Sequence, residues 1–244
     1  MRCLVVSDVH ANLAAFEAVL HDANPFDVIW CLGDMVGYGP DPNACIDRLR
    51  EHPHVCLAGN HDWAVLGKLD IRGFNADARI ANQWTQGVIN QAARDYLRNL
   101  PPLRVEQGYT LAHGSPRQPI WEYILDPLTA ELNFTAFETQ ICLVGHTHVP
   151  VSFYISDDND DGPCEPRPPR YGKVVSLADG RWIINPGSVG QPRDGDPDAS
   201  YAILDLDANT LEHRRVEYPI EETQEKMREA KLPIRLIERL SVGH

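Results

Sequence analysis

Five short apolar runs, each ending in aspartate, asparagine or histidine, constrain this chain more than any other feature. Residues 3–7 lead into Asp8-Val9-His10, and residues 28–32 stop at Gly33-Asp34 and a glycine-rich loop, Gly37-Tyr38-Gly39. Residues 55–57 lead into Gly59-Asn60-His61-Asp62, residues 109–112 into His113, and residues 141–144 into Gly145-His146-Thr147-His148. Runs of this length and composition, bounded by turn residues, read as buried strands. One Gly-Asp after one strand is only a turn. Five runs in sequence order, each ending in aspartate, asparagine or histidine, are more than coincidence, and α/β sheets place their ligands beyond the carboxyl ends of their strands.

The segments between the runs read as helices. Asn12 is placed to cap a helix through His21, on which Leu13, Phe16, Val19 and Leu20 recur at helical spacing. Asp41 and Pro42 open a second helix carrying Ala44, Ile46 and Leu49. Strand alternating with helix predicts a parallel sheet with crossovers. Residues 74–99 break the alternation: Ile80, Trp84, Val88, Ala92, Tyr96 and Leu97 predict two helices with no strand between, stopped by Pro101-Pro102. Residues 103–106 and 109–112 read as a hairpin. Residues 114–126, with Trp121 and Tyr123, form a long loop beside His113, and loops of that length are often functional.

Residues 127–137 read as a helix and 149–155 as a strand of a second sheet. Residues 156–170, with Asp157-Asp158-Asn159-Asp160-Asp161 and several prolines, read as a solvated, mobile surface loop without an EF-hand pattern. Residues 173–177, 181–185, 200–206 and 210–216 read as antiparallel strands, with turns at Ala178-Asp179-Gly180 and Asp207-Ala208-Asn209. Residues 221–230 and 234–240 read as terminal helices.

A net charge of −13 weighs against passive binding to nucleic acid or to an anionic membrane. Bound divalent cations would reverse that sign locally, so an anionic substrate stays open. The six cysteines show no C-x-x-C spacing, and most fall in apolar runs where a reduced thiol acts as a small hydrophobe. The chain opens on a core strand without a signal-peptide pattern, and no apolar run has membrane-spanning length. A cytoplasmic protein without membrane association is the expectation.

The ordered set D-x-H, G-D, G-N-H-[ED], H, G-H-x-H, spread over residues 1–194, resembles the calcineurin-like binuclear metallophosphoesterases, in particular their small bacterial and archaeal phosphodiesterase-like branch. The resemblance implies an α/β fold, a four-layer α/β/β/α sandwich of two mixed β-sheets flanked by helices. It implies a single domain over residues 1–244, with a helical insertion at about 74–100 that either stands over the site or is an ordinary packing layer. It implies two divalent transition-metal ions (Mn²⁺, Fe, Zn²⁺, Ni²⁺ or Co²⁺), suited to mixed nitrogen and oxygen ligation. Asp34 would bridge them. Asp8, His10 and His148 would complete one metal site, and Asn60, His113 and His146 the other. His61 would be catalytic, stabilising the phosphoryl group and protonating the leaving group after in-line attack by a bridging hydroxide.

Departures from the family pattern narrow the reading. Protein phosphatases carry G-D-x-V-D-R-G and R-G-N-H-E; here Gly37 and Tyr38 replace the second aspartate and the arginine, and Ala58 and Asp62 occupy the outer positions of the second motif. The lost arginines would have clamped phosphate oxygens, and the lost aspartate would have oriented the histidine matching His61. The expectation is therefore a phosphodiesterase acting on a small phosphate ester, with nucleic acid disfavoured and room for a homo-oligomer. A phosphomonoesterase or protein phosphatase, a dinucleotide polyphosphate hydrolase, and a non-catalytic scaffold on the same fold are the alternatives. Asn12 and Tyr38 are candidate substrate-binding residues at the rim. Arg193 is either another or a turn charge. His21, His52, His54, His213 and His244 lack such company and read as surface residues.

Overall fold

The computed structural model describes residues 1–156 and 163–244, so the acidic run at 157–161 lies outside the described residues. Strand β1 (Arg2–Val6) leads through helix α1 (Leu13–Ala23) to β2 (Val28–Cys31), then α2 (Pro42–Arg50), β3 (His54–Cys56) and α3 (Asn60–Val65). Helices α4 (Ala76–Val88) and α5 (Gln91–Arg98) follow without a strand between them, as the periodicity predicts. Then come β4 (Leu103–Glu106), β5 (Tyr109–Ala112), α6 (Pro127–Phe134), β6 (Ile141–Leu143), β7 (Val151–Ile155), β8 (Glu165–Arg167), β9 (Val174–Ser176) and β10 (Arg181–Asn185). The chain ends with β11 (Ala199–Asp205), β12 (Thr210–Val216), α7 (Ile220–Glu229) and α8 (Ile234–Glu238).

The strands form two six-stranded mixed sheets, ordered β3-β2-β1-β11-β12-β9 and β4-β5-β6-β10-β7-β8. Side-chain alternation explains why they stack. Cys3 and Val5 of β1 point to one face, with Trp30, Leu57, Leu111, Leu143 and Trp182, and build the core between the sheets. Leu4 and Val6 point the other way, against Phe16, Val19, Ile46 and Leu97 of the helices. The outer face of the second sheet, with Cys142 and Ile183, meets Phe134 of α6. The layers are therefore α/β/β/α, and a fully buried core side chain such as Phe16 or Leu4 contributes ~1.5–3 kcal/mol.

Three local expectations are corrected. The turn at Ala178-Asp179-Gly180 does not join a hairpin: β9 pairs with β12 in the first sheet, whereas β10 runs parallel to β6 and antiparallel to β7 in the second. Trp182, Ile183 and Ile184 are buried, which a strand achieves only with neighbours on both sides, while Val174 and Ser176 are exposed and suit an edge. Glu165–Arg167, within the stretch read as loop, adds an edge strand to β7. His213 is buried, because β12 turns alternate residues inward beside Leu211, and its Nε2 donates to the Asn185 carbonyl at 3.0 Å. Burial pushes its pKa down. All six cysteines are buried and free. No helix among the described residues is long and apolar enough to cross a membrane.

Candidate metal centre

β1, β2 and β3 run parallel in one sheet and β5, β6 and β10 in the other, so the loops beyond their carboxyl ends meet. The loops after β1 and β2 are zipped together: Asp8, His10 and Ala11 donate backbone N–H groups to the Gly33, Asp34 and Met35 carbonyls at 2.9–3.0 Å. Asp8, His10, Asp34, His146 and His148 all have positive φ, between 47° and 67°. Non-glycine residues rarely adopt that conformation, and a cluster of them marks a functional site. It also explains how His146 and His148, two apart, reach one place: the backbone turns where a strand would have sent them to opposite faces.

The side chains gather as two groups. Asp8 Oδ1 lies 3.2 Å from His148 Nε2 and 3.7 Å from His10 Nε2, and the two imidazole nitrogens are 3.1 Å apart. His113 Nε2 lies 3.4 Å from Asp34 Oδ2, 3.2 Å from His146 Nδ1 and 3.1 Å from Asn60 Oδ1. Asp34 Oδ2 is also 3.7 Å from His10 Nε2, so one oxygen faces both groups. Donors ~2.0–2.2 Å from a shared cation stand roughly 3.0–3.6 Å apart, which is close to these spacings.

The protons argue the same way. His10, His113 and His148 each donate Nδ1–H to a backbone carbonyl, of Val36, Leu32 and Gln191 respectively. That fixes Nε2 as the bare nitrogen, the arrangement of metal-ligating histidines. Two bare nitrogens 3.1 Å apart repel unless a cation lies between them. Asp8 Oδ1 and Asp34 Oδ2 are buried without hydrogen-bond partners, an unfavourable state that a cation relieves. Burial alone would raise both carboxyl pKa values, yet His148 beside Asp8 and His113 beside Asp34 hold them well below the usual range. Without a metal ion the same Asp34 charge overcomes burial at His113 and lifts it to about 9, so that Nε2 carries a proton whose place a bound cation would take. The residues present fit two metal ions; with two carboxylates against two divalent cations, the centre keeps a net positive charge.

Neighbouring groups hold the candidate ligands in place. Asp34 Oδ1 accepts the His61 N–H at 2.8 Å, and Asp8 Oδ2 accepts from Ser7 Oγ at 2.6 Å and from His146 N at 2.9 Å. Asp62 accepts N–H bonds from Asp34, Val36 and Gly59. A Cβ on Gly59 would fall 2.0 Å from Asp34 Oδ1, so only glycine fits there.

A cleft of about 210 Å³ opens over the centre, lined by Asp34, Asn60, His61, His146 and His148. Arg193 lines it too, the one guanidinium to do so among the described residues, and its Nε is buried without a partner. Tyr38 lines it, but is buried and packs edge-on against His10 at 4.6 Å, supporting the imidazole. Asn12 is not among the lining residues. Its amide caps α1 at Ala15 N and bonds Gly190, Tyr218 and Thr223, which makes it a brace for the loops.

Asn82 of α4 is absent from the sequence reading. It is fully buried, with Oδ1 3.1 Å from His61 Nδ1, in the orienting place that the sequence leaves vacant beside Tyr38. Two polar residues, Asn82 and Thr85, on the otherwise apolar buried face of α4 were the available signal. The Asn82 NH₂ has no partner in this orientation. An amide turned by 180° occupies the same space, donates to Nδ1, and places the ring proton on Nε2. Burial lowers His61 to about 4, so the ring is neutral near pH 7 and donates from whichever nitrogen Asn82 leaves protonated. Asn82→Ala is expected to lower turnover about ten- to a hundredfold with metal content unchanged. Wild-type turnover would remove Asn82 from this role.

The comparisons with known proteins agree with this geometry. A family model described as the calcineurin-like phosphoesterase superfamily domain matches residues 1–209. An uncharacterized protein of Methanocaldococcus jannaschii is 39% identical over 248 residues, covering 98% of this chain and 97% of that protein. A metallophosphoesterase crystal structure from Sphaerobacter thermophilus superposes with a TM-score of 0.90 at 50% identity, covering 100% of this chain and 99% of the other. A hypothetical protein from Pyrococcus horikoshii shares the fold, with a TM-score of 0.80 at 20% identity and coverage of 100% and 98%.

Proposed function

The chain belongs to the calcineurin-like phosphoesterase superfamily, and on that premise we propose that this phosphate ester hydrolase is a phosphodiesterase working at a dinuclear transition-metal centre. The observation that carries the reading is Asp34 Oδ2, buried, unpartnered and turned to histidine nitrogens of both groups. Asp8, His10 and His148 would hold one ion, Asn60, His113 and His146 the other, with Asp34 shared. When bound, such a pair supplies charge neutralisation at phosphorus and lowers the pKa of the attacking water.

The chain's own side chains do the rest. An anionic diester beside the His61 ring favours its imidazolium form. His61, which lines the cleft, then donates a hydrogen bond to the ester group and passes that proton to the leaving oxygen as its bond to phosphorus breaks, returning to neutral imidazole. Arg193 faces a non-bridging phosphoryl oxygen; its Nη2 is steadied by Gln191 Oε1 at 2.9 Å. One guanidinium suits the single negative charge of a diester better than the double charge of a monoester. The mixed donor set favours Mn²⁺, Fe, Zn²⁺, Ni²⁺ or Co²⁺.

Metal analysis by mass spectrometry, with hydrolysis of bis(p-nitrophenyl) phosphate and p-nitrophenyl phosphate after addition of Mn²⁺, tests the reading. About two ions per chain and faster diester turnover are expected. Faster monoester turnover would overturn the diester assignment, and absence of both metal and turnover would leave a scaffold.

A further inference from the structure

We infer that the cleft carries a stacking platform beside its phosphoryl site, and that the preferred substrate bears a nucleobase on one ester arm. The inference rests on the phosphoesterase reading above and names its substrate class. Its basis is the loop between His113 and α6. Ile120 and Ile124 are buried, and Glu122 accepts from Ser115 Oγ at 2.6 Å and Asn133 Nδ2 at 2.8 Å. Gln118 N donates to Ser115 Oγ, so the loop is pinned at several points. The residues between those anchors face outward: Trp121 is 43% exposed and Tyr123 46% exposed.

A single surface aromatic needs no explanation. Here the rings converge on the centre. Tyr123 lies parallel to His146, with centroids 4.1 Å apart and 4° between planes. Trp121 meets Phe74 at 5.3 Å, and Phe74 stands edge-on to His61 at 5.1 Å. Trp121, Tyr123 and Phe74 all line the same cleft as Arg193. A small alkyl arm would leave these rings wet, whereas a planar ring joined to the phosphate would cover them. Stacking on aromatic side chains is worth about 1–3 kcal/mol per base and tolerates any base, a gain in affinity of about five- to 150-fold. The single lining guanidinium and a net charge of −13 fit one phosphate group rather than a polyanion, so the ligand is nucleotide-sized.

Calorimetry on the Mn²⁺-loaded protein separates the base from the rest of the ligand, using adenosine 5′-monophosphate and ribose 5-phosphate, which share the phosphate and the sugar. Wild type is expected to bind the nucleotide at least about tenfold more tightly. Trp121→Ala and Tyr123→Ala should each cut that ratio severalfold, while Trp121→Phe should keep most of it. Equal dissociation constants in wild type, a ratio unmoved by both alanine variants, or no measurable binding of the nucleotide would each overturn the platform. A ratio near one with diester turnover intact would defeat the platform alone. A high ratio without diester turnover would defeat the phosphodiesterase reading alone.

Discussion

Asp34→Asn is expected to lower bound metal from about two ions per chain toward one, and turnover by roughly a thousandfold, since several kcal/mol of charge stabilisation depend on the pair. The substitution is isosteric, and its amide oxygen still accepts the His61 N–H that Asp34 Oδ1 takes at 2.8 Å. It removes one negative charge and one shared oxygen. The effect on the two groups is unequal. Asp8, His10 and His148 keep a carboxylate, whereas Asn60, His113 and His146 would then offer only neutral donors. The second ion should therefore be lost first. Metal content by mass spectrometry and diester turnover, measured on the same preparation, decide the matter. The melting temperature in chelator should fall modestly, because the apo fold keeps the His61 N–H bond but loses the charge pair between Asp34 and His113. Two ions per chain with turnover within a few-fold of wild type would remove Asp34 from the bridging position.

The asymmetry comes from Asp8 standing in one group where the other has the neutral Asn60, and position along the chain decides what was legible before the structure. Asp8, Asp34, Asn60, His113 and His146 each sit just past an apolar run, so a local signal (strand, then turn, then ligand type) marks each one separately. The sheets only had to place those ends side by side. Asn82 carries no such mark: it reaches His61 because α4 packs over α3, a contact between residues 21 apart set by helix packing. The route of β10 was hidden for a related reason. A strand followed by Ala178-Asp179-Gly180 and another strand looks like a hairpin, and local turn chemistry cannot report that Trp182, Ile183 and Ile184 need a central position in the other sheet. His213 was misread because, without the register of β12, one polar residue in a strand has no assigned face. The rims of Trp121 and Tyr123 depend likewise on Ile120 and Ile124 being the anchors, which only the packed loop reveals.

His61→Ala is expected to lower turnover by about 10²–10⁴, the range for a positioned proton donor, while metal content stays at the wild-type value. The backbone N–H that supports Asp34 Oδ1 survives the change, so the proposed bridge keeps its orientation. What disappears is a ring held between Tyr38 at 4.3 Å and Phe74 at 5.1 Å, with Asn82 fixing its protonation. The loss should depend on the leaving group. p-Nitrophenolate departs without help, so bis(p-nitrophenyl) phosphate should lose least, and a diester leaving as an alkoxide should lose most, because the alkoxide needs the proton as its bond to phosphorus breaks. An equal loss on both would assign His61 to a phosphoryl oxygen instead of the leaving oxygen. Loss of metal along with the ring would make it a ligand or a structural support, and the catalytic assignment would fall. Asn82→Ala should reproduce the leaving-group pattern at smaller amplitude, since it removes the orientation of the ring but leaves the ring itself in the cleft.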